Sequence, residues 1–120
     1  MVCRAAGTHD LESPVLLNLT GMCQVTDFFY VASAESSKKV KSVAEDIVRR
    51  LREQGVRPLN VDGLSNKDAS WVVLDFGDVM AHIFQPEARL RYDMEGLWAD
   101  AQREDPATLA RPPKSRKRPA

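Results

Sequence analysis

The stretch Trp71–Phe84, WVVLDFGDVMAHIF, restricts the fold more than any other part of the chain. Two short runs rich in Val and aromatics flank Gly77-Asp78. Gly takes φ > 0 at little cost, so this dipeptide suits a two-residue hairpin turn. With that loop, Phe76 faces Val79, Asp75 faces Met80, Leu74 faces Ala81, Val73 faces His82, Val72 faces Ile83 and Trp71 faces Phe84. Strand side chains alternate, so the hairpin has two faces. Val72, Leu74, Phe76, Val79, Ala81 and Ile83 form one; it is wholly apolar and reads as core. Trp71, Val73, Asp75, Met80, His82 and Phe84 form the other. That face is too apolar for plain solvent and too charged for deep burial without partners. It either lies under another element or docks a partner.

At 120 residues the chain suits one domain with a working core. Seventeen basic and seventeen acidic residues cancel, but unevenly. Arg111, Lys114, Arg116, Lys117 and Arg118 crowd the last ten residues without an acid. The first 110 residues therefore hold twelve basic against seventeen acidic side chains, a net charge of −5. An acidic body argues against nucleic acid as the domain's main ligand, whereas the tail permits it locally. Cys3 and Cys23 lack the spacing of a disulfide framework or a zinc site, which fits a reduced, cytoplasmic chain. No apolar run approaches a membrane span, and residues 1–14 resemble neither a signal nor a transit peptide.

Residues 1–14 are polar and end at Ser13-Pro14, and are expected to be loose. Val15–Leu19 and Val25–Ser33 read as strands. Ser36 and Ser37 can cap a helix whose apolar positions Val40, Val43, Ala44, Ile47, Val48 and Leu51 share one face. Gly55 is a fitting left-handed stop, with Pro58 beyond. Pro58–Val61 predicts a third strand, and the hairpin supplies two more. Glu87–Arg91 predicts a helical turn. Asp93 can cap a last helix whose stripe, Met94, Leu97, Trp98 and Ala101, must dock on something apolar. Residues 105–120 are expected to be a disordered basic tail. The fold class is α/β: a mixed five-stranded sheet with helices packed on it, one domain over residues 15–104. The crossover helix permits a parallel pair between strands two and three.

Few residues invite catalysis. Asp75 and Asp78 could share one Mg²⁺ across the turn, as in a nucleotidyltransferase-like enzyme. No Gly-Ser phosphate loop precedes them, however, and turn and strand roles account for both. Asp75-Phe76-Gly77 matches the kinase triplet by chance, since no other kinase motif is present. His82, among apolar neighbours, reads as a structural histidine bonded to a carbonyl or to Asp75. His9 lies in the terminus, so a histidine metal site is not expected. Ser36-Ser37 with Lys38-Lys39 fits ordinary capping better than an anion site. Trp71, Met80 and Phe84 fit the buried centre of a protein interface. They equally fit a core closed by the last helix through Leu97 and Trp98.

The strings VLLNLTGM, VTDFFYVASA, SSKKVKSVAED, RPLNVDG, WVVLDFGDVMAHIF and RYDMEGLWAD resemble the ribosomal silencing factor family, RsfS or Iojap, from about Val15 to Ala99. Trp71, Leu74-Asp75, Gly77-Asp78 and Val79–His82 carry the most specific part. Tyr92-Asp93, Glu95 and Leu97-Trp98 carry the rest. The resemblance implies a small α/β domain with a nucleotidyltransferase-like sheet and no established enzyme activity; no cofactor or metal is expected. It implies binding to the large ribosomal subunit through ribosomal protein L fourteen, which blocks subunit joining and lowers translation. A role as a large-subunit assembly factor would use the same face. Carried over residue by residue, the partner-binding surface is Trp71, Asp75, Phe76, Asp78 and His82, with Met80 beside them, and it favours an open face over a closed core. Two features depart from the family. The helix before the first strand is expected to be absent or much shortened, which bears on any homodimer. Ala34 stands where the family has Gly. The basic tail is not part of the family pattern and suits weak, salt-sensitive ribosomal RNA contact.

Overall fold

The computed structural model describes residues 2–24, 26–65 and 68–104. In chain order the elements are α1 (Val2–Ala6), β1 (Glu12–Asn18), β2 (Phe28–Ser33), α2 (Ser37–Glu53), β3 (Asn60–Asp62), β4 (Trp71–Asp75), β5 (Val79–Phe84), α3 (Pro86–Tyr92), α4 (Met94–Leu97) and β6 (Gln102–Glu104). The six strands form one mixed sheet in the order β3-β4-β5-β2-β1-β6. Only β2 and β5 are parallel; the other neighbours are antiparallel.

Helix α2 forms where its period places it. Ser36 caps it, its Oγ accepting from the Lys39 N–H at 3.1 Å. Val40, Val43, Ala44, Ile47 and Leu51 are buried on one face, and Gly55 ends the segment at φ +84°. Each of the Val, Ile and Leu side chains contributes about 1.5–3 kcal/mol by leaving water, Ala44 less. This stripe covers Leu16, Tyr30, Ala32, Val72, Leu74, Ala81 and Ile83 on one sheet face. A second, smaller core on the opposite face joins Leu17, Leu19, Phe29, Val31 and Phe84 to Ala88 and Ala101.

Several expectations are corrected. The first fourteen residues are not uniformly loose: α1 is a short helix that buries Val2, Cys3, Ala5 and Ala6 against α2. Strand β1 starts at Glu12 and bends where Ser13 takes φ +47° before Pro14, shifting its register with β2. The sheet has six strands, not five, because Gln102–Glu104 pairs with Leu16–Asn18. The third strand is Asn60–Asp62 rather than Pro58–Val61, and it pairs with β4 at the sheet edge, not with β2. The crossover through α2 passes beyond the hairpin, so β2 takes β5 as its parallel partner. Ala34 is buried, and its N–H donates to the Phe84 carbonyl at 2.8 Å. The only non-glycine residues with positive φ among those described are Ser13 and Asp93, so the Ala34 turn needs no glycine freedom. The tail lies outside the described residues.

Candidate docking surface on the hairpin

The hairpin closes as its residues dictate. Trp71 pairs with Phe84, Val72 with Ile83, Val73 with His82, Leu74 with Ala81 and Asp75 with Met80. Gly77 takes φ +96°, and the Phe76 N–H reaches the Val79 carbonyl at 2.9 Å. The Asp75 Oδ1 accepts from the Gly77 N–H at 2.9 Å, so this carboxylate braces the bend. The Asp78 carbonyl accepts from the N–H groups of Asp27 (3.1 Å) and Phe28 (3.0 Å), fastening the tip to the start of β2. Asp78 itself is exposed. No cluster of three His, Cys, Asp or Glu side chains suited to a metal occurs among the described residues.

The α2-facing side of the hairpin is core, as its alternation requires: Val72, Leu74, Ala81 and Ile83 are fully buried. Phe76 and Val79 at the tip are half-buried and border a cavity of about 330 Å³ with Val2, Leu51, Val56 and Asp78. Phe76 therefore stands on the face opposite Trp71 and joins Asp78 only around the bend.

The other face divides in two. Toward β1 and β2 it is covered, with Phe84 and Val31 sealed and Trp98 set edge-on against Phe29 at 5.9 Å. Elsewhere Trp71, at the open end of the hairpin, and Val73, Asp75 and Met80, nearer the tip, are only half-buried. The stripe expected to dock the last helix splits likewise. Ala101 is buried and Trp98 packs inward, but Leu97 is 73% exposed, so α4 does not close this face. Trp71 stacks on Phe84 at 5.0 Å, and Tyr92, from the end of α3, leans on the indole at 4.5 Å. Gly63 passes so close beneath that a Cβ there would collide with the Trp71 carbonyl.

His82 does not belong to the open patch; this corrects its reading as a contact residue. It is 3% exposed, with Phe29 edge-on at 4.5 Å and Phe84 stacked at 6.2 Å. Its partner is neither a carbonyl nor Asp75. The Trp71 indole N–H donates to Nδ1 at 3.1 Å. An indole only donates, so Nδ1 is bare and the proton sits on Nε2. That Nε2–H is buried without a partner among the described residues, which costs about 1–3 kcal/mol. Burial pushes the imidazole down to about 4, keeping it neutral at neutral pH.

Two residues missed from sequence complete the surroundings. Tyr92 lies in a recognisable motif, but its stacking on Trp71 depends on where α3 returns. Leu59 is 75% exposed, and its N–H donates to the Asp75 carbonyl at 2.6 Å, so it extends the apolar rim beside Gly77. Behind the patch, Arg89 is buried. Its Nη2 and Nε bind Glu95 at 2.8 and 3.2 Å, while Nη1 reaches the Ser33 Oγ at 3.0 Å and the Glu12 carbonyl at 3.2 Å. The Arg89 hydrogen bond, with its charge, holds the Glu95 carboxyl below its ordinary range.

The chain is thus a small α/β domain with its helices on a mixed sheet, one hairpin face of which carries a half-buried Trp71 and, nearer the bend, Asp75 and Met80. The whole chain, residues 1–120, matches the family described as ribosomal silencing factor during starvation, and the chain belongs to that family. It is 36% identical over 101 residues to the ribosomal silencing factor RsfS of Halalkalibacterium halodurans, covering 84% of this chain and 85% of that one. To the factor of the same name from Bacillus subtilis it is 33% identical over 90 residues, covering 75% of each. A crystal structure of a Chromobacterium violaceum protein superposes with a TM-score of 0.77 at 28% identity, over 82% of this chain and 80% of that one. A mouse protein named mitochondrial assembly of ribosomal large subunit protein 1 is 30% identical over 74 residues, covering 61% of this chain and 32% of its own length.

Proposed function

We propose that this chain is a non-catalytic ribosomal silencing factor. It binds the large ribosomal subunit through ribosomal protein L fourteen and occludes the surface on which the small subunit would land. The observation that carries the reading is Trp71: an aromatic side chain left half-buried, backed by Phe84 and Tyr92, on the hairpin face that carries Asp75 and Met80 nearer the bend, where Asp78 and Leu59 are exposed. Large aromatics in a packed setting with a charged rim make the strongest interface anchors. The two acids favour a basic partner surface. A standard interface of about 800 Å² per partner is roughly a tenth of this protein's 7162 Å² of accessible surface, so one face suffices.

Gradient sedimentation with purified subunits tests the reading. Trp71→Ala should keep the fold, since its hairpin neighbours on the α2 face are untouched. It should lose large-subunit binding by about thirtyfold or more, the loss of an anchor worth about 2 kcal/mol or more. Undiminished co-sedimentation of that variant would show that the surface is wrongly placed. The name of the mouse relative favours a second reading, large-subunit assembly, through the same face. Joining of separated subunits distinguishes them: a silencing factor lowers the yield of joined ribosomes, and an assembly factor leaves mature subunits unaffected. The enzymatic alternative is disfavoured because Asp75 is occupied in bracing the bend. Nucleotide turnover with Mg²⁺ that disappears in Asp78→Asn would restore it.

A further inference from the structure

The structure assigns His82 a role that its burial conceals: it is a positioning residue for Trp71, acting on the docking surface without touching the partner. This rests on the reading of Trp71 as the anchor. The register places the pair diagonally across the hairpin, His82 opposite Val73 and Trp71 opposite Phe84, within the reach of two ring side chains. The bond from the indole N–H to Nδ1, 3.1 Å long, fixes the indole's rotation about its own axis. Phe84 on one side and Tyr92 on another fix its tilt. An anchor already held in its bound orientation loses less freedom on docking, so it binds more tightly for the same contacts.

The orphaned Nε2–H makes the case specific. A phenylalanine at position 82 would keep the edge contact with Phe29 and the stack with Phe84, and would exchange one unpaired donor for another, removing the orphaned Nε2–H but taking the acceptor from the indole N–H of half-buried Trp71. Stability therefore does not call for a histidine here. Half of its polar capacity is wasted, and the other half makes one bond, to the residue that the surface depends on. Direct contact is ruled out by geometry, because Phe29, Phe84 and Trp71 enclose the ring and leave it 3% exposed.

Two measurements on ¹⁵N-labelled protein, with large-subunit binding alongside, test this. In the unaltered chain the His82 spectrum should show Nδ1 bare and Nε2 protonated; the opposite tautomer removes the acceptor and overturns the proposal without any variant. His82→Phe should unfold cooperatively at an unchanged or higher denaturant midpoint, shift the Trp71 indole N–H resonance, and weaken large-subunit binding roughly tenfold. His82→Asn sets an amide oxygen near the place of Nδ1 and should restore most of both the resonance and the affinity. If His82→Phe binds normally while Trp71→Ala does not, positioning fails and the docking surface stands. If both bind normally, the docking surface itself fails. If His82→Asn restores the indole resonance but not the affinity, His82 acts by some other route and the proposal is overturned.

Discussion

His82 links burial to acidity at the scale of a single residue. Its folded-state value is about 4 against an ordinary 6.5, with burial as the cause. Between those two values the unfolded chain takes up a proton that the folded one refuses. Stability from this group is thus full above pH 6.5 and is lost as pH falls toward 4, by about 3 kcal/mol. The aromatic rings around it carry no charge to offset this. Glu95 and Asp46 also hold lowered carboxyls, Glu95 through its Arg89 bond and Asp46 because bonds from Arg50 and His9 outweigh its burial, but they weaken only lower, in the carboxylate range. His9 sits on Asp46, on the α2 side, and is common to any position-82 variant. Urea unfolding should therefore show His82→Asn losing stability less steeply than the unaltered chain between pH 7 and pH 4. Parallel curves would mean that the ring is hydrated in solution.

Among the elements, α3 and α4 are held by one charged group rather than by much apolar burial. Ala88 enters the second core, while Leu90 and Leu97 face water. Arg89 instead ties α3 to β1 through the Glu12 carbonyl, to β2 through Ser33 and to α4 through Glu95. Glu95→Gln removes the countercharge from a buried guanidinium and should cost about 1–3 kcal/mol. Amide exchange should quicken in Pro86–Leu97 and stay unchanged in α2; uniform loss across the chain would mean that Arg89 supports the whole sheet. The sequence makes some elements legible and not others, for physical reasons. The hairpin register follows from Gly77-Asp78 and strict alternation, and α2 follows from its apolar period and Ser36. β6 has no such mark: Gln102, Arg103 and Glu104 become a strand only because β1 offers an unpaired edge. α1 is too short for a period and exists through its packing on α2. At the site, alternation placed Trp71 and His82 on one face correctly. It could not tell that Phe29 and Trp98 would close half of that face, because those residues arrive from β2 and from beyond α4.

Across the whole molecule, charge separates where the fold does not. The first 110 residues carry −5 and the last ten carry +5, so the chain is neutral only in sum. The acids include Asp75 and Asp78 at the proposed surface. A basic segment appended to an acidic body is drawn both to that body and to a polyanion, and on a ribosome the densest anion is the phosphate backbone. We expect the tail to add affinity for the large subunit through counterion release, which has a distinctive salt signature. Removing residues 111–120 should leave the unfolding midpoint unchanged, since the residues of both described cores lie between Val2 and Ala101. Binding should weaken at low salt and depend less steeply on it, the log–log slope falling by up to about 4 for five engaged charges. At high salt the two forms should converge, leaving the Trp71 surface to supply what affinity remains. An unchanged slope would show that the tail meets no phosphate and that the docking face binds alone.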